Sequence, residues 1–142
     1  MANDRRDPPY ALRILGAFAL LAVGALHIDQ YFAVHYNVIP VIGPLFLLNL
    51  IGAVVIALLL ILPTERLRAG GFIGPLALAG IGLAITSAIF LLISEQTTLF
   101  GFMENGYRTE IVLSFIAEAA TVGLLGTYLV TLVRRHREPA AR

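Results

Sequence analysis

PVIGPLFLLNLIGAVVIALLLIL, residues 40–62, runs for 23 positions without a charged side chain. A helix rises about 1.5 Å per residue, so roughly 20 such residues cross the hydrocarbon core of a bilayer. Three more stretches on either side have the same character. Residues 10–32 are broken by Arg13 near their start and by His27 and Asp29 near their end. Residues 71–93 and 109–133 complete the set. The reading is an all-α polytopic membrane protein, a four-transmembrane-helix bundle forming a single domain over residues 1–142.

Composition agrees. Of 142 residues, 58% are hydrophobic and 13% charged, and mean hydropathy is +0.86. Soluble domains average about 45–50% apolar and about 25% charged, so a soluble enzyme or nucleic-acid-binding module is excluded. The net charge of +1 gives no field for polyanions. Cysteine is absent, which removes disulfides, thiolate metal sites and cysteine nucleophiles.

Local chemistry marks the boundaries. Pro63 follows the second apolar run, Gly70 and Gly71 precede the third, and Thr109 with Glu110 reads as an N-cap and acidic first turn for the fourth. Pro44 and Pro75 fall in first turns, where a missing N–H costs nothing. The tetrads Ile42-Gly43-Pro44-Leu45 and Ile73-Gly74-Pro75-Leu76 match, but the two helices are adjacent and the match decays beyond Leu47 and Leu78, so it does not establish a duplication.

Arginine sets the orientation. Arg5, Arg6, Arg13, Arg66, Arg68, Arg134, Arg135, Arg137 and Arg142 fall on one side and Arg108 alone on the other. Under the positive-inside rule both termini are cytoplasmic. The first run is long for the apolar region of a signal peptide, so it reads as a retained anchor. The basic tail, Arg134-Arg135-His136-Arg137, suits contact with anionic lipid.

Packing between spans needs small residues, because lipid is as apolar as leucine. Gly80, Ala84 and Ala88 on the third span and Ala119, Gly123 and Thr127 on the fourth recur at four-residue spacing, so those spans are expected to approach closely. Ala53 and Ala57 do the same on the second.

The polar residues inside the runs fall at similar depth. Glu118 and Asn49 lie about nine residues, or about 13 Å, from the outer ends of their spans. Thr86, Ser87 and His27 lie nearby in depth. His27, Asn49, Ser87 and Glu118 are therefore the candidate ligand- or ion-binding residues. Charged groups near mid-bilayer usually face the bundle interior, and Glu118 is expected to be protonated or paired with His27. Two readings stay open: a site for a proton, cation or ligand head group, and plain interhelical hydrogen bonding.

Tyr31, His35, Glu104 and Arg108 are the outer-face candidates. His27, Tyr31 and His35 share a face if the first helix reaches that far. The two histidines would then be about 12 Å apart, too far for one ion, and no metal is assigned. The loop from Glu95 to Arg108 carries Phe100, Phe102, Met103 and Tyr107, apolar side chains suited to an interface anchor or a cap over the bundle. No Ser/His/Asp set, HExxH motif or phosphate loop is present, so no cofactor is assigned and the balance leans against an enzyme. The expected partners are membrane lipids and, in some assembly, other membrane subunits or further copies of the chain. No nucleic acid is expected.

The run from His27 through Tyr31, His35, Tyr36, Pro40, Gly43 and Pro44 to Asn49, with the later Leu99 to Arg108, resembles a group of small four-span membrane proteins of actinobacteria. The resemblance implies the fold and a bacterial inner membrane, and no activity. DoxX-like proteins share the size but none of these motifs.

Overall fold

Pro63 ends one helix and Gly70 opens the turn into the next, as the composition predicts. The computed structural model describes residues 8–63, 70–104 and 106–137. Four of the described helices are long and apolar enough to cross a membrane. They are α1 (Pro8–Ala33), α2 (Ile42–Ile61), α3 (Ile73–Gln96) and α4 (Thr109–Arg137), with short 3₁₀ turns at Tyr36–Val38 and Gly70–Phe72. Arg5, Arg6, Arg66, Arg68 and Arg142, which carry much of the expected orientation, lie outside the described residues.

Boundaries shift in instructive ways. Thr109 is already helical, and the Arg108 carbonyl accepts hydrogen bonds from the Ile111 and Val112 amides, so Thr109 sits inside the helix rather than capping it. α1 stops at Ala33, and His35 takes a left-handed conformation, φ 61°. His35 therefore leaves the face shared by His27 and Tyr31 and is exposed.

α1 packs against α2 and α4, and α3 packs against the same two. α1 and α3 touch little across the diagonal. The start of α1, end of α2, start of α3 and end of α4 share one apolar layer, which includes Leu12, Leu60, Ile73 and Tyr128. At the opposite end the α1–α2 and α3–α4 connections meet, with Tyr36 against Phe102. The helices thus alternate in direction. We call the second end the loop end.

On α4 the buried residues Ile111, Ser114, Glu118, Thr121, Leu125 and Tyr128 fall alternately three and four apart, with Ala117 buried beside Glu118. α3 keeps the same rhythm through Ile73, Ala77, Gly80, Ala84, Ser87, Leu91 and Ser94. A seven-residue repeat of this kind holds one stripe against neighbouring helices along their length.

That register corrects one expectation. Gly80 and Ala84 face inward, but Ala119, Gly123 and Thr127 of α4 are exposed. α4 turns its Ser114, Glu118 and Thr121 stripe inside instead, where polar groups on long apolar helices can meet polar groups of the other helices. Close approach is achieved by a notch. A Cβ on Gly80 would lie 3.1 Å from Leu125 and 3.2 Å from Leu20, and one on Gly16 would collide with Leu125 outright. Leu125 is fully buried between them. Toward the same end Arg13 is buried, with its guanidinium 4.9 Å from the Tyr10 ring.

Candidate functional site

All four interior candidates line a single cavity. His27 comes from α1, Asn49 from α2, Ser87 from α3 and Glu118 from α4, around a volume of about 210 Å³. Each occupies a buried or half-buried position in the stripe of its helix, which is why side chains far apart in sequence point at one another.

His27 is held at both ring nitrogens. Nδ1 lies 2.8 Å from the Val23 carbonyl, which only accepts, so this nitrogen carries a proton. Nε2 lies 3.1 Å from the Ser87 hydroxyl, which donates to it when the imidazole is neutral. Phe46 packs on the ring at 4.9 Å between centroids.

Glu118 stands differently. It is 2% exposed. Ser87 lies beside its carboxyl, yet neither oxygen completes a hydrogen bond among the described residues. The expected pairing with His27 is not made, because Ser87 stands between them. Asn49 Oδ1 is likewise buried without a partner. A buried polar atom left without a partner costs about 1–3 kcal/mol, so two such groups on one cavity wall are costly as packing alone.

At the loop end, Glu104 and Arg108 come together around a third residue. Arg108 Nη2 donates to Tyr36 Oη at 2.7 Å and lies 3.2 Å from Glu104 Oε1. The Tyr36 hydroxyl donates to Glu104 Oε2. Burial, and then the neighbouring Glu104 carboxylate, push the Tyr36 phenol above its ordinary range, with Arg108 opposing. The Glu104 amide donates to the Ser94 carbonyl at 2.9 Å, tying the loop to the end of α3. Leu99, Phe102 and Glu104 also line the cavity, so the aromatic loop caps it. Phe100, Met103 and Tyr107 point outward and are exposed.

The cap is built from strained backbone. His35, Val41 and Phe100 all have positive φ, at 61°, 69° and 52°, a region costly for branched or bulky residues. Phe100 and Gly101 form a two-residue turn closed by paired hydrogen bonds between Leu99 and Phe102, at 2.7 and 3.0 Å. Positive φ at both central positions makes it a type I′ turn.

Two outer-face candidates fall elsewhere. Tyr31 is half-buried and packs edge-on against Phe32, while His35 is exposed, and neither lines the cavity. Three residues that sequence reasoning missed do line it, namely Gln30, Ser94 and Ser114, and Gln30 Nε2 donates to Ser114 at 3.3 Å. The signal was the repeat: Gln30 follows His27 by three positions, Ser94 follows Ser87 by seven and Ser114 precedes Glu118 by four. Among the described residues no group of three or more His, Cys, Asp or Glu side chains is placed to hold a metal ion.

Compared with protein-family models, with curated proteins and with solved structures, the chain matches none of them.

Proposed function

We infer that this chain is a multi-pass protein of a bacterial inner membrane, with both termini cytoplasmic. In this reading it serves as a binding module whose site is the cavity between the four helices. The observation that carries it is Glu118, a buried carboxyl without a hydrogen-bonding partner on the wall of a cavity of about 210 Å³. Buried polar groups in folded proteins are nearly always satisfied. The acid, with Asn49 Oδ1 on the same wall, offers buried polar groups to a molecule entering that space. The cavity is formed within one chain, which favours a binding module over an accessory subunit whose role lies at its outer surface.

A second reading has its own support. His27, Ser87 and Glu118 form a short chain of groups that can each hold or pass a proton. That arrangement suits a proton- or cation-binding step within a transporter, with Glu118 as the titrating group.

Native mass spectrometry of wild type and Glu118→Gln, purified from the same membranes, tests the first reading. A small molecule retained by wild type and lost from the variant supports it. Bare protein in both preparations contradicts it, and a co-purifying protein subunit on bare wild type points to the accessory role instead.

A further inference from the structure

We propose that the cavity takes the head group of a single-chain membrane amphiphile, that this head carries hydrogen-bond donors, and that it arrives sideways between α2 and α3. The inference rests on the binding-module reading and adds the ligand's class and its route.

The route follows from where the cavity is closed. At the loop end it is covered by Leu99, Phe102 and Glu104, with Tyr36 and Arg108 bonded to the last of these. On the α1–α4 side, Gln30 is bonded to Ser114 across the seam. The α2–α3 side differs. These helices pack less extensively than the other neighbouring pairs. Leu48 of α2 and Thr86 and Phe90 of α3 line the cavity and are also exposed on the outside of the bundle, Leu48 at 63%. The mouth therefore opens on a flank of the spans, where a bilayer supplies acyl chains and little water.

The head's chemistry follows from what the wall lacks. Both nitrogens of His27 are engaged, and the Ser87 hydrogen is committed to Nε2 when the imidazole is neutral. Three oxygens remain without partners, two on Glu118 and one on Asn49. A hydroxyl-bearing or ammonium head supplies donors to them, whereas a carboxylate or phosphate head would bury its charge against a wall that, among the described residues, carries no Arg or Lys to pair with it. Size agrees. A volume of about 210 Å³ is below the roughly 300 Å³ at which drug-sized pockets begin, so it holds a head while the tail lies outside along Leu48 and Phe90.

The test uses the full chain in phosphatidylcholine nanodiscs, since the choline head has no N–H or O–H donor. Dodecylamine, monododecanoylglycerol and dodecanoate are offered in turn, followed by the chainless heads ethanolamine and glycerol, and adducts are read by native mass spectrometry. A one-to-one adduct with the amine or the glyceride, at least tenfold above dodecanoate and reduced at least tenfold in both Glu118→Leu and Asn49→Leu, is the expected result. The variants replace two unpartnered oxygens at Glu118 and one at Asn49 by apolar side chains of similar size, so both are expected to fold, and their melting temperatures verify this. Equal retention of all three amphiphiles, or retention unchanged in both variants, overturns the proposal. Retention of only ethanolamine or glycerol overturns the amphiphile and its route while leaving the binding module standing. No adduct of any kind overturns both.

Discussion

Ser87 on α3 and His27 on α1 lie 3.1 Å apart, hydroxyl to Nε2, joining two helices that otherwise barely meet across the bundle. The bond closes the diagonal just where the cavity holds the helices apart. A double-mutant cycle with Ser87→Ala and His27→Phe, measured by unfolding in mixed micelles, is expected to give a coupling of about 0.6 kcal/mol, the average for interhelical hydrogen bonds in membrane proteins. Zero coupling would mean that the two side chains do not meet.

Because Ser87 serves His27, Glu118 is left without a donor. An unpaired carboxylate is very costly in a low-dielectric interior, so this acid is expected to carry its proton at pH 7. Infrared difference spectra should show the carbonyl stretch of a protonated carboxyl in wild type and not in Glu118→Gln. A spectrum with only carboxylate bands at pH 7 would contradict this.

Leu125 fills the notch between Gly16 and Gly80. Gly80→Val is expected to cost about 1–3 kcal/mol through overpacking, with partial recovery in the Leu125→Ala background. Gly123 has open space around the position of a Cβ, so Gly123→Ala should leave stability unchanged or slightly raised. Equal losses at the two glycines would show that α4 is turned differently.

The loop-end cluster gives a pH signature. Burial and Glu104 raise the Tyr36 phenol above its unfolded value of about 10, so the folded state keeps a proton that the unfolded chain loses. That contribution is fully present below about pH 10 and declines as pH rises beyond it. Melting temperature should fall more steeply above pH 10 in wild type than in Tyr36→Phe. The variant itself should lose about 1–3 kcal/mol at neutral pH, because Glu104 is left short of a donor.

Phe100 occupies the first central position of a type I′ turn at φ 52°, where asparagine or glycine is at ease. Phe100→Asn should raise thermal stability by up to about 1 kcal/mol, and Gly101→Ala should lower it by a similar amount.

The four helices were legible because the requirement that makes them, about 20 apolar residues in a row, is written directly in the chain. The layer of His27, Asn49, Ser87 and Glu118 was legible for a related reason: polar groups in such helices turn inward, and depth can be counted at a fixed rise per residue. Gln30, Ser94 and Ser114 were within reach of the same reasoning, had the seven-residue repeat been followed outward from each candidate.

Sequence alone determined the number of helices, their ends to within a few residues, and the depth at which polar side chains gather. Each of these depends on one helix at a time. Which face α4 turns inward, which pair of helices parts to leave a mouth, and which of Ser87's neighbours receives its hydrogen were decided only by the tertiary structure. Those outcomes depend on several helices competing for the same space and the same few hydrogen bonds, and no single stretch of chain records how that competition ends.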